Sequence, residues 1–186
     1  MQFKSVAFAL LGVTGQMAHP FSERDVAKTG EFVEVDRKPA SDGRGNLLFL
    51  GPGSKGGTKR ADTDLIEERG TCHKPKDVPP LCDKSNTARN EICDKLVSEL
   101  YADDGIVVSG KTQQICYEGD GAETNEYCCV SWQREIDGLT KGDFADIANG
   151  IMQECTEDGI SGRKEDVYVH NDACTGVCLS NRGTDC

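Results

Sequence analysis

Ten cysteines, all of them after residue 60, set the strongest limit on what this chain can fold into. They are Cys72, Cys82, Cys93, Cys116, Cys128, Cys129, Cys155, Cys174, Cys178 and Cys186. An even number in an exported chain reads as five disulfides, with a connectivity that spacing alone does not give. Disulfides persist in oxidising compartments, so such a framework calls for an export signal. The N-terminus carries one: Lys4, then an apolar run over residues 6–13, then the small residues Thr14, Gly15 and Ala18. That order is a secretory signal peptide over residues 1–18, with Gly15 and Ala18 as candidate cleavage points. The run is too short to cross a bilayer, which takes about 20 apolar residues. A secreted, extracellular product with no membrane span is expected.

Residues 19–60 hold no cysteine and are crowded with Gly, Ser and charge. Only Asn46-Leu47-Leu48-Phe49-Leu50 is apolar in the second half, too little surface to offset ordering entropy, so a disordered pro-segment is expected. It ends at Lys59-Arg60, a dibasic pair that suits a kexin-type processing protease, which selects two adjacent cations in an extended chain. Arg37-Lys38 is a second such pair. Cutting after Arg60 divides the charge unevenly. Residues 1–60 carry nine Lys+Arg and six Asp+Glu, net +3, whereas residues 61–186 carry twelve and twenty-six, net −14. An acidic domain repels phosphates, which argues against nucleic acid as a binding partner. Ten cysteines in 126 residues approach the density of disulfide scaffolds, in which covalent bridges supplement a small core.

Residues 61–85 contain Pro75, Pro79 and Pro80 and no clear period, and read as an extended arm pinned by Cys72 and Cys82. The cysteine-rich domain proper spans residues 86–186. Asn86 or Thr87 caps a helix to about Tyr101, with Ile92, Leu96 and Leu100 at helical spacing. Residues 106–108 and 112–117 read as strands joined by Ser109-Gly110-Lys111, and residues 127–132 as a third. Thr140 and Asp143 form a capping box before a second helix, which runs to Cys155 with Phe144, Ile147, Ala148 and Ile151 on one face. Residues 167–169 read as a last strand. This order predicts an α+β fold: a disulfide-stapled two-layer α/β sandwich, two helices on one face of a small, mostly antiparallel sheet. Cys128 and Cys129 would point to opposite faces and take different partners. Cys93 and Cys155 on the helices would staple to Cys116 or Cys129 on the strands.

Cys128-Cys129-Val130-Ser131-Trp132, Gly138-Leu139-Thr140-Lys141-Gly142-Asp143, Cys155, Ser161-Gly162 and Cys174 with Cys178-Leu179-Ser180-Asn181-Arg182 together resemble small cysteine-rich secreted proteins of filamentous fungi. The layout over residues 90–186 is similar to the smut-fungus killer toxins of the four-kilobase virus type and to necrosis-inducing effectors of a leaf-mould fungus. The resemblance implies a fungal effector or toxin-like protein.

Catalytic chemistry has little to work with. A hydrolase needs a base that titrates near neutrality, and only His73 and His170 lie beyond the leader. Those two with Glu135 and Arg134 could be assigned ribonuclease roles, but their spacing does not support it. No catalytic, cofactor-binding or metal site is assigned. Zinc is disfavoured because no paired C-x2-C motifs occur. Trp132, the sole tryptophan, is a candidate partner contact, although beside two cysteines the reading as a core residue is favoured. The expectation is a monomer that binds a host or competitor target. The alternatives are a small hydrolase acting on RNA or glycans, and a wall-associated structural or inhibitory protein.

Overall fold

The computed structural model of the protein describes residues 32–53, 71–119 and 127–181, with only the backbone of residues 85 and 86. The expected signal peptide, Lys59, Arg60 and Cys186 lie outside the described residues.

One antiparallel sheet dominates the architecture. Its strands in chain order are β1 (Phe32–Pro39), β2 (Gly45–Pro52), β3 (Leu81–Thr87), β4 (Gln114–Gly119), β5 (Tyr127–Trp132), β6 (Ile160–Tyr168) and β7 (Cys174–Ser180). In space they lie in the order β1-β2-β4-β5-β7-β6-β3, every pair antiparallel. Helix α1 (Asn90–Tyr101, 12 residues) packs on β4 and β5, and α2 (Ala145–Cys155, 11 residues) on β3, β6 and β7. This corrects the expected two-layer sandwich with a small sheet. Seven strands set against two short helices make a sheet-dominated fold.

Three segments account for the difference. Residues 32–52, inside the segment expected to be disordered, form the β1–β2 hairpin, and β2 pairs with β4 from Gly45↔Gly119 to Leu50↔Gln114. Leu47 and Phe49 enter the main core while Leu48 joins a small cluster with Cys116 and Cys129 on the opposite face. The apolar run is a strand buried on both faces, and its burial offsets the ordering cost. Part of the expected arm forms β3, paired with β6. The expected last strand at residues 167–169 is the end of a longer β6, which turns into the unforeseen β7 through Asn171 and Asp172. Both turn residues have positive φ, 43° and 61°, and the Ala173 N–H donates to the His170 carbonyl at 2.7 Å. Positive φ at both central positions is the pattern of a primed hairpin turn, which Asn and Asp tolerate.

Residues 106–108 are not a strand. They contribute one bridge, Val107 to Thr140, and the Val108 N–H donates to the Leu139 carbonyl at 2.7 Å. Helix α1 starts at Asn90, with Arg89 and neither Asn86 nor Thr87 at its N-cap. The second helix begins as a single-turn 3-10 helix (Lys141–Phe144) before α2.

Four bridges join the described residues: Cys72–Cys174, Cys82–Cys155, Cys93–Cys128 and Cys116–Cys129. Cys178 is disulfide-bonded as well. Cys93–Cys128 ties α1 to β5 and Cys82–Cys155 ties β3 to α2. Cys116 and Cys129 do not meet a helix. They face each other across β4 and β5, with Cα atoms 4.0 Å apart. The neighbours Cys128 and Cys129 take different partners because alternate strand residues face opposite sides. Under α2, Gly162 of β6 leaves room for the helix: a Cβ there would come within 2.5 Å of Cys155 Sγ and 2.7 Å of Ile151 Cγ2.

Candidate functional site

Among the described residues, the loops at one end of the sheet come together into one surface. Strand register places the end of β5, the β6–β7 turn and the start of β4 together there, through the pairs Gln114↔Ser131, Trp132↔Val177 and Tyr168↔Cys174. The loops that leave these strands are bound to one another. The Lys141 N–H donates to the Ile106 carbonyl at 3.0 Å, the Gly142 N–H to the Asp104 carbonyl at 3.1 Å and the Trp132 N–H to the Gln113 carbonyl at 3.1 Å. The Cys72–Cys174 bridge lies at the base of the β6–β7 turn. Asp103, Asp104, Glu135, Asp137 and Asp172 are exposed on these loops, and so is Val107, at 68%.

Asp143 joins the parts. Its Oδ2 accepts from the Thr140 N–H at 2.7 Å and the Thr140 hydroxyl at 2.9 Å, and lies 3.0 Å from Nδ1 of His170. The Asp143 N–H lies 3.3 Å from the Thr140 carbonyl, which closes the first turn. With His170 Nδ1–H donating to Asp143, Nε2 is left to accept from the Asn171 side-chain amide, 2.7 Å away. The Nδ1 contact holds the β6–β7 turn against the start of the second helix, and the Nε2 contact lies within the turn itself. Removing the carboxylate in Asp143→Ala is expected to cost about 1 kcal/mol through the lost cap. A lowered urea midpoint with an unchanged m-value would register it.

The other residues named from the sequence fall elsewhere. His73 is exposed, and its backbone pairs with β6: its N–H donates to the Asp166 carbonyl at 2.8 Å, and its carbonyl accepts from the Tyr168 N–H at 3.0 Å. Arg134 and Glu135 are exposed on the loop after β5. Among the described residues no hydrogen bond or ion pair joins His73, Arg134 or Glu135 to His170. Trp132 is not a surface anchor. It is 4% exposed and stacks on Phe144, ring centroids 4.3 Å apart, which makes it core. Its Nε1 has no hydrogen-bond partner among the described residues. Among the described residues no group of three or more His, Cys, Asp or Glu is placed to hold a metal ion, and no helix is long and apolar enough to cross a membrane.

A second polar cluster lies where the hairpin meets β4. The guanidinium of Arg37 donates to both oxygens of Glu34, at 3.1 and 2.9 Å, and to Glu118 Oε2 at 2.6 Å. The Tyr127 hydroxyl donates to the other Glu118 oxygen. That phenol first, and Arg37 after it, hold the Glu118 carboxyl below the usual glutamate range against the opposing effect of burial. A carboxyl whose folded pKa is depressed contributes stability that is present above its unfolded value, about 4.3, and lost as pH falls through the folded value. Glu118→Gln is therefore expected to flatten the acid limb of a stability–pH curve below about pH 4. An unchanged limb would show that Glu118 does not carry it. Nearby, Glu99 of α1 is 4% exposed and accepts from the Ser41 N–H at 2.7 Å and from the Ser41 hydroxyl. Sequence reading passed over this pair because Ser41 lay in a segment assigned no structure.

A protein-family model described as fungal WD-like matches residues 62–186. No curated protein matches the chain. No solved structure matches it either. The family description does not bring a propeller with it: propellers repeat four-stranded blades around a channel, whereas the described strands here form one sheet.

Proposed function

We infer that this chain, which belongs to the fungal WD-like family, is an exported, proteolytically matured effector or toxin-like protein that acts by binding a host or competitor protein. The observation that carries this reading is the loop end. Two loops, residues 102–113 and 133–144, are linked by main-chain bonds, and the β6–β7 turn is held to them through His170 and Asp143; together they project from a sheet braced by disulfides and present Val107 among exposed carboxylates. Rigid scaffolds that position loops are the usual platform for recognition. The bridges favour an oxidising, extracellular setting. The surplus of acid beyond residue 60 favours a partner with a basic surface.

The test uses the purified secreted protein on plant tissue and on competing fungi, scored for cell death and growth inhibition, beside turnover assays on RNA and polysaccharides. Val107→Arg, at an exposed site, should abolish the biological response while leaving the melting temperature unchanged. Turnover lost on His170→Ala, in a variant that still folds, would overturn the binding reading in favour of a small hydrolase.

A further inference from the structure

The division of the chain by cysteines and the division by structure do not coincide. All ten cysteines follow Arg60 and the family match starts at residue 62, yet the sheet includes two strands from before that point. The hairpin fits the domain closely. Leu47 and Phe49 are each 3% exposed and belong to the same core as α1, α2 and β5. Glu99, buried in α1, takes its hydrogen bonds from Ser41. The Tyr117 hydroxyl of β4 donates to Asp42 at 3.0 Å, and Arg37 reaches across β2 to Glu118. Gly45 lies so close to β4 that a Cβ there would come within 2.5 Å of the Glu118 carbonyl oxygen.

We propose that the β1–β2 hairpin is a permanent strand complement of the cysteine-rich domain, so that cleavage after Arg60 yields a two-chain protein whose N-terminal chain stays docked on β4 without a covalent link. This rests on the maturation reading above. The step is a hydrolysis: water adds its hydroxyl to the Arg60 carbonyl and a proton to the Ala61 nitrogen as that peptide bond breaks. Among the described residues, the β2–β4 ladder, the shared core, the contacts of Ser41, Asp42 and Arg37, and the Gln113 N–H donating to the Leu50 carbonyl then tie the segments. The occupant of the β4 edge is thus this chain's own hairpin, and the edge is not open to another strand.

Full-length protein secreted from a host with a Lys-Arg-specific protease is compared by native and denaturing mass spectrometry, without reductant. The expected result is one native species containing two chains, the larger starting at Ala61, which separate in denaturant alone. A larger chain found without its N-terminal chain in the native spectrum would overturn retention while leaving maturation standing. A single unbroken chain starting near residues 16–19 would overturn both. Because a hairpin variant may fail to fold in the cell, a second measurement cuts the protein after folding. Uncleaved chain from a protease-deficient host is treated with the protease in vitro and passed over a sizing column. Both chains should elute together for the wild type, and the N-terminal chain should be lost from the peak for Gly45→Val, whose added side chain pushes the strands apart. Separate elution of the wild-type chains would sink the proposal.

Discussion

Replacing Cys93 and Cys128 together with alanine is expected to lower stability by about 4 kcal/mol, the chain-entropy value for a loop of this length. The two are 35 residues apart in sequence, and their bridge is the covalent link between α1 and β5. Both side chains are fully buried, so the truncation also leaves unfilled space between helix and sheet. Urea unfolding of the oxidised double variant measures the loss. The same change at Cys116 and Cys129, only 13 residues apart, should cost less, about 3 kcal/mol. Equal losses would show that packing around each pair, and not the length of loop closed, sets the effect.

Phe144→Ala is expected to cost about 3–5 kcal/mol, the range for removing a buried aromatic ring. Phe144 has no exposed surface and lies against Trp132 near the start of α2. The loss would loosen the join between the second helix and β5, where the capping contacts of Asp143 are made. Trp132 is the only tryptophan, so its emission reports this site alone. A native-state shift to longer wavelength, together with a lower urea midpoint, is the expected signature. Unchanged emission would mean that neighbouring side chains close over the gap.

Much of the helical part was legible in the sequence. Ile92, Leu96 and Leu100 repeat at helical spacing and are buried in α1, and Phe144, Ile147, Ala148 and Ile151 do the same for the second helix. Short-range chemistry decides these features. The sheet was less legible because its pairings are distant: paired residues lie 64–74 apart in sequence between β2 and β4 and 73–82 apart between β3 and β6. A local reading weighed residues 46–50 against their Gly-rich neighbours and found too little surface to bury. It had no view of the β4 edge, which supplies the missing half. Val-Tyr-Val, Asn171-Asp172 and the alternating run from Cys174 did carry a hairpin signal, and the left-handed tolerance of Asn and Asp was the clue to it. At the candidate site, the Thr140–Asp143 box was readable, but His170 as its third member was not, since 27 residues separate it from Asp143.

The bridge across β4 and β5 has a bearing on how the molecule breathes. Local opening follows the least supported elements, and cross-links remove the cheapest routes to it. Cys116–Cys129 fastens β4 to β5, and Cys93–Cys128 fastens β5 to α1, so β4 cannot peel away with its outer neighbour. The seam between β2 and β4 is therefore the natural line of parting. The amides on its two sides are expected to exchange in different cooperative units, one opening as a hairpin and the other only with the body of the fold.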